Sequence, residues 1–200
     1  GGGVYNSSVA IADIVNVTIS GNEAAGGGGV YNNVEGSMEI TNATIFNNTA
    51  ITGGGVLNEI DGFISVANSI IAGNSSISPG PDVSGDFFSR GNNLVGVDGV
   101  STGFTDGVKG DLVGSFATPV SPGLGALQDN GGATFTHELL GGSLARDAGN
   151  NFYAPTDDQR GFARLFDGDG NGSLIVDIGA FESGYIVTGF GDSVDANPGD

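Results

Sequence analysis

Gly1-Gly2-Gly3-Val4-Tyr5-Asn6 returns as Gly27-Gly28-Gly29-Val30-Tyr31-Asn32 and as Gly53-Gly54-Gly55-Val56-Leu57-Asn58, a step of 26 residues each time. A second stretch keeps that step: Asn16-Val17-Thr18-Ile19-Ser20-Gly21-Asn22, Asn42-Ala43-Thr44-Ile45-Phe46-Asn47-Asn48 and Asn68-Ser69-Ile70-Ile71-Ala72-Gly73-Asn74. Two registers held in phase over three copies mark a repeat architecture. Aligned at this step, Val4/Val30/Val56, Ile14/Ile40/Val66 and Ile19/Ile45/Ile71 form aliphatic columns rich in β-branched residues, which favour strands. Between them run Asn6/Asn32/Asn58, Asn16/Asn42/Asn68 and Asn22/Asn48/Asn74. Asn and Gly tolerate the left-handed conformation that a sharp corner needs. The apolar residues do not follow the i, i+3, i+4 spacing of a helix. A β-sandwich would not require identical corners at a fixed step. The pattern predicts an all-β chain, a right-handed single-stranded parallel β-helix of 26-residue coils. Its turns would stack about 4.8 Å apart, with the corner asparagines bonded to one another along the axis.

Composition narrows the function. The chain has 39 glycines but no collagen period, which suits many tight turns. Without cysteine there are no disulfides or thiolate metal sites. A net charge of -18 argues against nucleic acid, whose phosphates need a basic surface, and disfavours anionic membranes. No stretch is long and apolar enough to span a bilayer. Such acidity fits a chain kept soluble in salty, divalent-rich water outside the cell. Because Gly1 opens inside a repeat, a signal peptide is expected upstream.

Gly27-Gly28-Gly29-Val30 and Phe46-Asn47-Asn48-Thr49-Ala50 resemble the marks of bacterial polymorphic outer-membrane-protein repeats, although the Phe-to-Asn spacing is shifted. Further along come Pro81-Asp82-Val83-Ser84-Gly85, Gly91-Asn92-Asn93-Leu94-Val95-Gly96 and the run Leu127 to His137. Gly142 to Gly149, Asp158-Gln159-Arg160-Gly161-Phe162-Ala163-Arg164 and Val176-Asp177-Ile178-Gly179-Ala180-Phe181-Glu182 follow. In this order they resemble the β-helix region of "choice-of-anchor Q" bacterial surface proteins. That resemblance covers nearly the whole chain. It implies a right-handed parallel β-helix, export and display at or release from the cell surface, and it brings no catalytic site.

The most chemical-looking stretch is Asp167-Gly168-Asp169-Gly170-Asn171-Gly172, followed by Asp177. Oxygen donors at alternate positions with Gly between let a loop fold around a hard cation, so Asp167, Asp169, Asn171 and Asp177 are the candidate Ca²⁺ ligands. Ile178 stands where the usual twelfth-position Glu would be, and the plain alternative is a solvated acidic turn. His137, the one histidine, has no nucleophile beside it in sequence and reads as structural. Arg146-Asp147 and Asp158-Gln159-Arg160 offer ion pairs that would lock the end segment onto the last coil. Asn6, Asn16, Asn42, Asn47 and Asn74 begin glycosylation sequons, which an Asn- and Thr-rich repeat produces without any modification.

The expected organisation is regular coils over 1–76, irregular coils over 77–115, a capping region over 116–183 and a linker or following module over 184–200. The cap, with Leu139, Leu140, Leu144, Phe162, Leu165, Ile175, Ile178 and Phe181, is expected to cover the open end of the stack. The expected function is structural or adhesive: a stalk, fibre or adhesin segment of a large secreted or cell-surface bacterial protein, stabilised by calcium. Its partners would be neighbouring modules, further copies and surface glycans. A polysaccharide-degrading enzyme and a glycan-binding module are the alternatives.

Overall fold

The computed structural model describes residues 1–99, 101–168 and 170–184. Its first turn runs through β1 (Val4–Asn6), β2 (Ile11–Val15), β3 (Thr18–Ser20) and β4 (Glu23–Gly26). The second repeats it with β5 (Val30–Asn32), β6 (Ser37–Thr41), β7 (Thr44–Phe46) and β8 (Thr49–Thr52). The third has β9 (Val56–Asn58), β10 (Phe63–Ala67), β11 (Ile70–Ala72) and β12 (Ser75–Ser76). The fourth keeps β13 (Val83–Ser84), β14 (Phe88–Gly91) and β15 (Leu94–Val95), and β16 (Leu112–Val113) adds one more rung.

Each strand pairs in parallel with its equivalent one turn away, giving the sheets β1-β5-β9-β13, β2-β6-β10-β14, β3-β7-β11-β15-β16 and β4-β8-β12. Val4 pairs with Val30, Ile14 with Ile40 and Ile19 with Ile45, so the aliphatic columns read from the sequence are strand neighbours. The expected fold is what forms: a parallel β-solenoid of 26-residue turns. Ile40, Ile45, Val30, Val56, Ile64, Val66 and Ile71 fill its interior with no exposed surface. Asn16, Asn42 and Asn68 make their corner at φ 54, 49 and 48 degrees. Gly28 is required by proximity, since a Cβ there would lie 2.4 Å from the Gly54 carbonyl oxygen of the next turn.

The fourth turn departs from the step, for Val56 pairs with Val83 but Val66 with Ser89 and Ile71 with Val95. Residues 101–113 close this end. Phe104 turns inward against Phe87, with ring centroids 5.3 Å apart, and a 3₁₀ turn (Val108–Gly110) lies beside β14.

Residues beyond β16 therefore do not cap the stack as expected; they run along its side. The antiparallel pair β17 (Leu124–Gln128) and β18 (Thr136–Leu139) and the segment to Gly184 pack on the outer face of the β3-β7-β11-β15-β16 sheet. That face turns apolar along the axis: Thr18 and Thr44 are followed in register by Ile70, Leu94 and Leu112. Ile178, Phe181, Leu139 and Ala145 cover the apolar rungs, whereas Leu140, Leu144, Phe162 and Leu165 stay exposed. The expected linker lies outside the described residues except for Gly184.

Candidate functional site

Buried polar groups, the usual carriers of chemistry, collect in two places: the ladders at the corners and the seam under the C-terminal segment. In one ladder the Asn22 backbone N and Nδ2 both donate to Asn48 Oδ1, at 3.0 and 2.9 Å. Asn48 donates in the same way to Asn74 Oδ1, and Asn74 to Asp82 Oδ1. Each Asn can pass the chain on because it both accepts and donates; an ionised Asp only accepts, and so ends it. Asp82 Oδ2 takes the Val97 N–H, which ties the irregular fourth turn to the ladder. A second chain runs from the Ala43 N–H through Ser69 and Asn93 to Asp111. A third, Asn6–Asn32–Asn58, ends on the Asp86 carbonyl. Burial raises the pKa of Asp82 to about 6, against the hydrogen bonds from Asn74 and Val97, and raises Asp111 as well.

The seam is held rung by rung. Asn16 Nδ2 donates to the Asp157 carbonyl, and Thr18 Oγ1 to Gln159 Oε1 at 2.6 Å. His137 Nε2 meets Ser20 Oγ, its Nδ1 meets the Gly125 carbonyl, and its ring stands edge-on to Phe46. Asn68 exchanges two bonds with the Asn150 backbone, and Asn92 Nδ2 reaches the Ala148 carbonyl. Gly179, at φ 105 degrees, sits where a Cβ would meet Thr44 Oγ1 at 2.8 Å and Ile70 Cδ1 at 2.9 Å. Asn42, in the same column as Asn16 and Asn68, is wholly buried, and neither side-chain polar atom has a hydrogen-bond partner.

Charges concentrate at the centre of the seam. Arg164 is fully buried, and its guanidinium donates to Asn16 Oδ1 and to the Gly179 carbonyl. Arg160 pairs with Asp158 at 2.7 Å and lies 3.6 Å above the Phe181 ring, so this expected lock braces the docked segment internally, and it is Gln159 between them that reaches the solenoid, at Thr18. Glu182 Oε2 accepts from the Asp177 N–H at 2.9 Å and stands 3.5 Å from Arg164 Nη1. Burial, and then the charge of Asp177, push the Glu182 pKa to about 9. The neighbouring Arg164 guanidinium works against that rise.

Of the calcium candidates, Asp167 and Asn171 share one loop. Asp167 folds its own loop, accepting from the Asn171 and Gly172 N–H groups, and Asn171 Oδ1 accepts from the Ser173 N–H. Asp169 lies outside the described residues. Asp177 is fully buried and has other work: its carboxylate accepts from the Asp147 N–H and from the Ser183 N–H and Oγ, and burial raises its pKa. It connects to the loop through Asp147, whose Oδ1 takes the Gly168 N–H. Among the described residues no three His, Cys, Asp or Glu side chains form a metal-binding group. Sequence reasoning missed Asp82 and Asp111 as ladder ends. The available signal for Asp82 was the first Asp after the last ladder Asn, eight residues past Asn74; Asp111, 18 residues past Asn93 with Asp98 and Asp106 between, left none.

Compared with protein-family models, curated proteins and solved structures, the chain finds no match in any of the three. The fold defines its class, a parallel β-solenoid with a segment docked along its flank.

Proposed function

We propose that this chain is a load-bearing segment of a bacterial surface or secreted protein, of the "choice-of-anchor Q" type that its motifs resemble, acting as a stalk or adhesin body rather than as an enzyme. The observation that supports this reading is where the perturbed acids are spent. Asp82, Asp111, Asp177 and Glu182 each accept backbone or ladder donors that hold turns or flank in place. A solenoid bonded along its axis and strapped across its turns resists extension, because separating two turns breaks many bonds at once. Single-molecule pulling tests this. We expect one cooperative rupture releasing both turns and flank; stepwise peeling of single turns at low force would remove the mechanical role.

Calcium binding, in this reading, belongs to the 167–172 loop. Added Ca²⁺ should then raise the melting temperature of the EDTA-dialysed chain, and an unchanged temperature removes calcium from the account.

A glycan-binding role has one feature in its favour, a groove of about 590 Å³ lined by Ala25, Gly26, Tyr31, Thr52, Glu59 and Ser84. NMR titration with neutral and acidic oligosaccharides separates the readings: shifts centred on Tyr31 and Glu59 would favour binding.

A further inference from the structure

The chain has five basic residues against 23 acidic ones, so where the bases stand is informative. Arg146, Arg160 and Arg164 serve the docked segment and its seam. The other two, Arg90 and Lys109, lie together on the outer face of the β2-β6-β10-β14 sheet. Two columns run along that face parallel to the solenoid axis. One holds Ile11, Ser37 and Phe63; the other holds Asp13, Glu39, Ser65 and Phe88, with Lys109 Nζ 4.9 Å from the Phe88 ring centre. Arg90 reaches back past Ser65 to pair with Glu39.

Two properties single out this face. It exposes aromatic surface: Phe63 and Phe88 are each 51% exposed, and their rings stack 6.3 Å apart. Phe63 belongs to the third turn, with turns stacked on both sides of it, so its exposure is lateral. The face is also ordered in charge, with Asp13 and Glu39 toward one end and Arg90 and Lys109 toward the other. Among the described residues neither Asp13 nor Lys109 forms an ion pair. The corner acids Glu35 and Asp61 stand beside the face in exposed turns, where salt screens them.

We propose that this face is the docking surface for a second copy of the chain, laid antiparallel across a two-fold axis at the third turn. A two-fold contact uses one patch twice and must therefore be self-complementary. With the axis running along the strands, each column meets its own copy in reverse order. Phe63 then packs on Phe63 of the second copy, Asp13 faces Lys109, and Glu39 faces Phe88 and Arg90. Asp86, two residues before Phe88, falls opposite Ser37 rather than opposite another acid. Parallel stacking sets Asp13 against Asp13 and Lys109 against Lys109, and is disfavoured. The inference does not rest on the role proposed above; for rods anchored at one end, this geometry joins rods from facing surfaces.

Sedimentation velocity of the full chain over a concentration series should show a dimer. Phe63→Asp should weaken it by about tenfold or more, as for a residue at the centre of an interface. A carbodiimide, which joins amine to carboxyl without a spacer, then locates the contact. Lys109 is the only lysine. Within one chain it stands roughly four rungs of about 4.8 Å from Asp13, too far for such a link. The expected product is therefore a Lys109–Asp13 link between two copies, read by mass spectrometry. A monomeric mass up to about 1 mM would overturn the proposal. So would a dimer that lacks this link or is unaffected by Phe63→Asp. A monomer whose Phe63 and Phe88 NMR signals move on adding oligosaccharide would make a glycan the occupant, and overturns it equally.

Discussion

Replacing Asn48 by alanine separates a ladder that holds the turns together from one that merely decorates the corner. The Asn48 side chain is fully buried and stands in the middle of its ladder. Its Oδ1 accepts from the backbone N and Nδ2 of Asn22, and its Nδ2 donates to the Ile19 carbonyl at 2.9 Å and to Asn74 Oδ1 at 2.9 Å. Asn48→Ala takes the acceptor from the Asn22 N–H and a donor from the Ile19 carbonyl. A buried polar group left unpaired costs about 1–3 kcal/mol, so the expected loss is about 3–5 kcal/mol. Asn22→Ala, at the near end, removes only donors and leaves the Asn48 acceptor with one partner, for about 1 kcal/mol. Asn48→Asp keeps the acceptor but opposes a carboxylate to the Asn74 and Ile19 oxygens, so it should be worse still at pH 7 and recover on acidification. Urea unfolding followed by circular dichroism gives the three values. Equal losses for Asn48→Ala and Asn22→Ala would refute the ladder as a source of stability.

Stability should also follow the proton on Glu182. With the folded pKa raised to about 9 from 4.5, its contribution is complete below 4.5 and is lost as pH rises through about 9. Asp82, raised to about 6 from 3.8, adds a second loss over the lower part of that range. The melting temperature should therefore fall from pH 5 to pH 9, and Glu182→Gln should flatten the upper part; a rise over that range contradicts the burial assigned to both groups. Asn42→Gly should change stability by less than about 1 kcal/mol, because glycine adopts the positive φ freely and an unpaired buried amide is removed; calorimetry checks it. Gly179→Ala should loosen the flank, since the added methyl meets Thr44 and Ile70 below 3 Å; faster proteolysis after residue 116 with turns one to three intact is the expected result.

The regular turns were legible because period, side-chain column and corner residue repeat together, as at Val4/Val30/Val56 and Asn16/Asn42/Asn68. The Asn ladders followed from the same alignment. The docked flank was not legible, for a physical reason. Its receptor is the outward column Thr18, Thr44, Ile70, Leu94 and Leu112, which becomes apolar only after the second rung, two of them beyond the strict repeat. An isolated outward Ile in one copy looks like ordinary variation until its neighbours in the fourth turn are aligned, and there the step has changed. Apolar residues in the last third then suggested an end cap, because composition identifies cover but not the surface it covers. The acidic loop drew attention to Asp177 by spacing, whereas burial directed that side chain to the Ser183 and Asp147 backbone.

The position of the C-terminal segment decides most, because the lateral strap gives Asp177 and Glu182 their structural work. The chain has no cysteine, so introduced thiols report without background. Two double variants suffice, Thr18→Cys with Gln159→Cys and Thr105→Cys with Gln159→Cys, each treated with a short bifunctional thiol reagent and mapped by mass spectrometry. Thr18 touches Gln159 in the first turn, while Thr105 belongs to the closing segment roughly four rungs of about 4.8 Å further along the axis. A strap along the flank predicts a near-complete cross-link from 18 to 159 and little from 105 to 159. The reverse result would place the segment over the end of the stack and contradict the account.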